Sequence, residues 1–173
     1  MASVDYDPVK AHEYYERTKK LKGKHSTKGF NQQQKEQFAY AKQQLKQQQK
    51  DRNAKSKERI NKQKQAQIEA LNQAKERQKE ALTKAAQATI ESLRRKLKAM
   101  PKEQREKFKG QIQSAIGSIR ETLSASKEVI TEGTAAKKDA VRKKASAENK
   151  SAREASKEKY RTDLDAAYNK IKG

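Results

Sequence analysis

Seventy consecutive residues, 31–100, contain neither glycine nor proline. Because these two residue types interrupt helices more strongly than any others, a segment of this kind predicts one long helix. At 1.5 Å per residue, such a helix would extend about 105 Å. Asn31 and Gln34 have the spacing of a capping box at its start, and Pro101 predicts its end.

The composition excludes several classes of protein. Hydrophobic residues make up 32% of the chain, below the roughly 45–50% of globular domains, so a large single core is excluded. The chain has no cysteine, which rules out disulfides and thiolate metal sites. His12 and His25 have no histidine at the spacing of a helical metal site. We therefore predict a protein that is not an enzyme and uses no cofactor.

Two apolar stripes predict an antiparallel helical hairpin. The first occupies the second half of the long helix, with steps of three and four residues from Leu82 onward, the spacing of an amphipathic or coiled-coil seam. The second follows Pro101 at similar steps. The predicted contact sets Ile90, Leu93, Leu97 and Met100 against Phe108, Ile112, Ile116 and Ile119.

Residues that typically begin or end helices divide the chain into four predicted segments. Asp7 and Pro8 begin a short helix within residues 1–30, which end in a loop. Residues 31–100 form the long helix and 101–133 the second arm of the hairpin. Gly133 and Thr134 predict a break, after which 134–173 form a basic C-terminal helix with a sparse seam. The residues of this predicted seam are Val141, Ala145, Ala152, Ala155, Tyr160, Leu164, Tyr168 and Ile171.

The expected fold is all-α and coiled-coil-like, with extended helices and little globular core.

Positive charge is the strongest functional signal in the sequence. The chain has 43 Lys and Arg against 22 Asp and Glu, a net charge of +21. In residues 42–64, nine cations face only Asp51 and Glu58. Cations at this density predict electrostatic binding to DNA or RNA without sequence readout; a solvated helix face is the alternative. The predicted nucleic-acid contacts are Lys42, Lys46, Lys50, Arg52, Lys55, Lys57, Arg59, Lys62 and Lys64.

Aromatic residues are concentrated near the N-terminus. Six of the nine lie within the first 40 residues, where the short helix needs a partner surface for stability. Aromatic side chains anchor many protein interfaces, so we predict protein docking here; base stacking and a small local core are the alternatives. The predicted docking residues are Tyr6, Tyr14, Tyr15, Phe30, Phe38 and Tyr40.

The two ends of the chain resemble a known class of protein. The run 5–15 (DYDPVKAHEYY), followed by LKG at 21–23 and STKGF at 26–30, looks like the opening of small, basic, helical proteins encoded among the head genes of tailed bacteriophages. The ending AYNKIKG at 167–173 is similar to theirs. The resemblance implies a minor capsid or scaffold-like protein that docks on capsid or portal-region proteins and contacts packaged DNA. It implies a location in the phage head, and in the host cytoplasm during assembly.

Two other functions fit the same sequence. The first is a nonspecific nucleic-acid-binding coiled coil of nucleoid or regulatory type. The second is an inhibitor of a host nucleic-acid enzyme. We also expect homo-oligomers, because one hairpin buries little apolar surface relative to the entropy lost on ordering the chain. No apolar run is long enough to cross a membrane.

Overall fold

The computed structural model describes residues 25–173, which form two long helices. α1 is Gln32–Ala99 and α2 is Lys102–Lys172. The helices pack against each other as a helical hairpin, and no strand occurs in this part of the chain. The all-α hairpin predicted from the sequence is therefore confirmed. The predicted helix at Asp7 and Pro8, with Tyr6, Tyr14 and Tyr15, lies outside the described residues.

The start of α1 follows the sequence signal. The Gln34 amide N–H donates to Asn31 Oδ1 at 2.7 Å, and the Asn31 N–H donates to Gln34 Oε1 at 3.0 Å. These reciprocal bonds satisfy two backbone donors that have no partner within the helix. The capping box predicted at Asn31 is confirmed.

The turn between the helices centres on Pro101. The Met100 N–H donates to the Leu97 carbonyl at 3.3 Å as α1 ends, and the Arg105 N–H donates to the Pro101 carbonyl at 2.9 Å as α2 begins. The Arg105 guanidinium also donates to the Met100 carbonyl at 3.1 Å. This side chain therefore satisfies a carbonyl that the end of α1 leaves without a helical partner.

α2 continues without interruption through Gly133 and Thr134, so the break predicted there is wrong. Residues 101–133 and 134–173 belong to one helix. A single glycine costs a helix only about 1 kcal/mol relative to alanine, whereas packing on both sides of Gly133 favours continuation. Ile130 is half-buried, and Thr134 is 9% exposed.

The chain divides into two compact units. The terminal unit consists of Met1–Ser56 and Lys150–Gly173, and the hairpin unit consists of Lys57–Asn149. In the hairpin unit, the inward-facing positions of α1 advance in steps of 4, 4 and 3 from Ile60 to Leu97. Those of α2 follow the same rule from Ile112 to Asn149.

These steps define an eleven-residue repeat. Large aliphatic side chains recur at this interval in α1, and inward positions recur at the same interval in α2. Three turns in eleven residues correspond to about 3.67 residues per turn, close to the 3.6 of a straight α-helix. The seam therefore stays on one face without the tight supercoil that a seven-residue repeat imposes. The recurring residues are Ile60, Leu71, Leu82 and Leu93 in α1, and Ile119, Ile130 and Val141 in α2.

Burial in the hairpin unit agrees with most of the predicted contact. Ile90 and Ile116 are 8% and 9% exposed, and the other predicted residues except one are half-buried. Phe108 is the exception, at 40% exposed, so its predicted place in the contact is wrong. All of residues 101–110 are exposed next to the turn, where the arms offer Phe108 no enclosed position.

The terminal unit contains the described aromatic core. Phe38, Leu164 and Tyr168 are buried, and Phe30, Leu45, Tyr160 and Ile171 pack around them. The Tyr168 ring lies 5.4 Å from the Phe30 ring and 5.5 Å from the Phe38 ring, centroid to centroid. Tyr168 Oη also donates to the Ser26 carbonyl at 2.6 Å. Tyr168 therefore joins α2 both to α1 and to the segment before it.

The seam of the terminal unit departs from prediction at one residue. Ala155 is exposed and Ser156 is buried in its place. The steps Ala152, Ser156 and Tyr160 keep one helical face at intervals of four residues, whereas Ala155 falls one residue off it. The predicted seam was wrong at this residue because Ala155 was included for its apolar side chain. The spacing of the helix instead places Ser156 on the buried face.

A turn at residues 27–30 brings Phe30 to Tyr168. The Phe30 N–H donates to the Thr27 carbonyl at 3.1 Å, and Gly29 has a φ of 90°. Positive φ is unfavourable for residues with a Cβ but not for glycine. The loop predicted before Asn31 is therefore present in residues 25–30, with Gly29 at the position that needs it.

We expect Ile116→Ala to lower the free energy of unfolding by about 2 kcal/mol or more, since it leaves a cavity in the hairpin seam. Val129→Ala is the matched control. Val129 is 68% exposed on the same helix, so its truncation should change stability by less than about 0.5 kcal/mol. Circular dichroism in urea would measure both. Equal effects would contradict burial of Ile116 in the seam.

Candidate nucleic-acid interface

Seven of the nine cations predicted to bind nucleic acid are exposed on α1. α1 lacks glycine and proline throughout this stretch, so these side chains extend from continuous helical backbone. Exposure leaves their ammonium and guanidinium groups accessible to phosphate. The exposed seven are Lys42, Lys46, Lys50, Lys55, Lys57, Arg59 and Lys62.

In the terminal unit, Lys42, Lys46 and Lys50 follow one another at intervals of four residues. This spacing places them on one face of α1, about 6 Å apart along the axis. We call these three residues the lysine row. Within residues 25–173, none of them takes part in an ion pair. The nearby Asp51 carboxylate instead accepts a hydrogen bond from Gln47 Nε2 at 3.1 Å.

In the hairpin unit, Lys57, Arg59 and Lys62 continue the basic stretch. The Lys62 ammonium lies 2.7 Å from a Glu58 carboxylate oxygen, and both side chains are largely exposed. An exposed pair of this type contributes little stability, but it reduces the positive charge offered at that position. The lysine row thus has less local neutralisation than Lys62.

Arg52 is half-buried, so it is less accessible to phosphate than the seven exposed cations, and its role as a contact stays a prediction. Its Nε and Nη2 atoms are buried and have no hydrogen-bond partner within the described part of the chain. The steps Gln49, Arg52 and Ser56 follow the inward-facing series of α1, which explains the direction of the side chain. Ser156 Oγ in α2 is likewise buried and unpaired among these residues. Unsatisfied groups of this kind cost about 1–3 kcal/mol each.

Lys64 is also turned from the exposed face. It is half-buried and lines a cavity of about 420 Å³ with Ile60, Val141 and Ala145 in the hairpin unit. Its aliphatic stem can cover apolar surface while the ammonium reaches water. Lys64 is therefore a weaker candidate for phosphate contact than its exposed neighbours.

Several cations outside residues 42–64 are paired with carboxylates. In the terminal unit, Lys157 lies 3.6 Å from Glu154, and Arg161 lies 3.4 Å from Glu158. Outside the basic stretch of α1, Lys84 pairs with Glu80 at 2.9 Å in the hairpin unit. A hydrogen bond and the charge of Lys84 lower the pKa of Glu80, so this carboxylate stays ionised near its cation.

The predicted docking aromatics separate into two groups. Phe38 is buried in the core around Tyr168, so its predicted role as a docking anchor is wrong. Phe30 is half-buried against the same core, and its docking role stays a prediction. Both form the local core that the sequence offered as an alternative. Tyr40 is 65% exposed and lies two residues before the lysine row, where its ring is accessible.

The sequence did not predict the contacts that the loop before α1 makes with α2. His25 Nε2 lies 2.5 Å from Asp165 Oδ1, and the His25 ring packs edge-on against Tyr168 at 5.1 Å. These partners are separated by 140 residues or more, so only the register of the hairpin identifies them. Burial at the edge of the same cluster raises the pKa of the Tyr160 phenol. No group of three or more acidic or histidine side chains within residues 25–173 could hold a metal ion.

Comparison with known protein families gives no match, and comparisons with curated proteins and with solved structures give none either. The resemblance to phage head proteins therefore stays a prediction. Neither α1 nor α2 contains a stretch long and apolar enough to span a bilayer.

Arg52 is half-buried and Lys50 is exposed, so replacing each by methionine compares the two positions directly. Arg52→Met should raise the free energy of unfolding by about 1 kcal/mol or more, because it removes two buried guanidinium nitrogens that have no hydrogen-bond partner in the described residues. Lys50→Met removes the same charge from an exposed position. It should weaken DNA binding more than Arg52→Met, as measured by fluorescence anisotropy at fixed salt. Equal losses of affinity would contradict the inward placement of Arg52.

Proposed function

We propose that this protein is a non-catalytic DNA-binding component of a phage head. On this proposal, exposed cations of α1 contact DNA phosphates without reading the base sequence. The observation that carries it is the lysine row, Lys42, Lys46 and Lys50, which is exposed and without ion pairs in residues 25–173. This row adds a regular geometry to the high net charge of the chain.

The chemistry of the row favours nonspecific contact. Lysine offers a flexible point charge, whereas arginine presents the planar fork that reads guanine edges. Phosphate contacts position a protein on DNA and carry no sequence information directly. Release of counterions from DNA supplies the driving force. Tyr40 supplies one exposed ring that could stack on an unpaired base, but at two residues before Lys42 it lies on a different face of α1 from the row.

Assembly on a protein shell is the second part of the proposal. It rests on the resemblance of residues 5–15, 21–23 and 26–30 to phage head proteins. Tyr40 is the predicted docking residue that the described structure leaves exposed, and Tyr6, Tyr14 and Tyr15 complete the docking set. The proposed partners are capsid or portal-region proteins, and oligomerisation on the shell would add contacts that a single hairpin lacks.

The salt dependence of DNA binding tests the first part. We expect Lys42→Gln, Lys46→Gln and Lys50→Gln together to reduce the slope of log affinity against log salt by about 2 to 3, since each lost phosphate contact removes about 0.9. The matched control removes three cations elsewhere on the exposed surface: Lys84, Lys107 and Lys157, each changed to Gln. Equal slopes for the two triple variants would show that the contact is spread over the whole surface.

Sedimentation with purified capsid shells tests the second part. The protein should pellet with empty shells and should stay on filled shells after nuclease treatment. A Tyr14→Ala, Tyr15→Ala, Tyr40→Ala variant should keep its helical circular dichroism yet lose this association. Release by nuclease, with no binding to empty shells, would favour the nucleoid-type alternative. Binding to neither, together with inhibition of a polymerase or nuclease, would favour the inhibitor.

A further inference from the structure

An apolar groove lies between the two helices of the hairpin unit. Two adjoining cavities of about 420 and 560 Å³ share Gln67, Val141 and Lys144 in their linings. The larger cavity has a mainly apolar lining that includes Ala70 and Ala140. We call the surface formed by both cavities the alanine groove; its apolar residues are Ile60, Ala66, Ala70, Leu71, Ala140, Val141 and Ala145.

Small side chains on both helices produce this groove. Helices that pack through larger side chains lie about 8–10 Å apart and fill the space between them. Ala70 and Ala140 are exposed, and Leu71 and Val141 are only half-buried, so apolar surface stays open to water. From Ile60 to Leu71 the groove follows about 16 Å of α1, or three helical turns.

The rim of the groove is basic. Lys64, Lys137 and Lys144 line the cavities with one acidic residue, Glu148. The hairpin unit as a whole has 23 Lys and Arg against 12 Asp and Glu, a net charge of +11. A partner that covers the apolar floor must therefore also carry negative charges that lie near the lysines of the rim.

We infer that the alanine groove binds an acidic amphipathic helix of a partner protein. The apolar face of such a helix would cover Ala70, Leu71 and Val141, in the helix-in-groove mode of peptide recognition. Carboxylates on its flanks would lie near Lys137 and Lys144, so the charges would be complementary.

Two other occupants fit less well. A second copy of this unit would bring another net charge of +11 to the same surface, and like charges oppose association. Nucleic acid would match the rim, but no aromatic residue lines either cavity, and an apolar floor leaves a phosphate backbone without partners.

A designed peptide provides the probe for this inference. It has 18 residues, with leucines at intervals of three and four on one face and glutamates on the flanks. Its fluorescence anisotropy is titrated with the full-length protein. We expect saturable one-to-one binding that is at least tenfold tighter than binding of a scrambled peptide of the same composition, a difference of about 1.4 kcal/mol. Equal binding of the two peptides, or binding of neither, would overturn the inference.

Substitutions in the groove locate the contact. Ala70→Gln and Ala140→Gln together should weaken peptide binding about tenfold, because they place polar bulk on the floor without changing the net charge. Ala81→Gln and Ala125→Gln, exposed positions on the same helices outside the cavity linings, should leave it unchanged. Equal losses for the two pairs would overturn the assignment of the groove.

Two further measurements separate this inference from its rivals and from DNA binding. Sedimentation equilibrium of the wild type and of the groove variant decides whether a second copy occupies the surface; a dimer lost only in the groove variant would overturn the inference. DNA affinity should be the same for both proteins, because the lysine row is intact. A groove variant that loses DNA binding would show instead that nucleic acid occupies the groove.

Discussion

A pair of helices can bury only one stripe of each partner, and this limit governs the rest of the structure. No described side chain is fully enclosed, and the most buried hydrophobic residue, Ile60, is still 3% exposed. Stability therefore depends on many small contributions along the seam, with the eleven-residue repeat keeping successive inward positions on one face. The same limit leaves most of each helix surface to solvent, which accommodates a net charge of +21. Most of the charge therefore lies outside the seam, although Arg52 and Lys64 belong to the inward-facing series of α1.

The sequence predicted the elements that depend on local signals. The Asn31 cap, the end of α1 before Pro101 and the all-α hairpin follow from residues close together in the chain. The break at Gly133 was predicted on the same local basis and was wrong, because packing around Ile130 and Thr134 outweighs the small penalty of one glycine. The eleven-residue repeat was already visible in Ile60, Leu71, Leu82 and Leu93. It was not predicted, because steps of three and four residues were interpreted only as general coiled-coil spacing.

The candidate site was harder to predict, because exposure depends on helical phase. All nine cations of residues 42–64 were predicted to contact nucleic acid because of their charge alone. Arg52, however, belongs to the inward-facing series of α1, whereas Lys50 does not. The same distinction separates Phe38, which is buried, from Tyr40, which is exposed. Once the period is known, each of these placements follows from residue number. The contacts of Tyr168 with Ser26 and of His25 with Asp165 do not, since they require the register of segments about 140 residues apart.

The eleven-residue repeat also constrains how a chain of this kind can change in length. Adding eleven residues to one helix restores every later side chain to its face, whereas adding seven rotates the rest of the helix by about 33° relative to the seam. In a hairpin, growth of one arm must be matched in the other to preserve the facing pairs. Natural variation in length should therefore occur in paired blocks of eleven. Single-residue insertions should be confined to the ends and to the turn at Pro101.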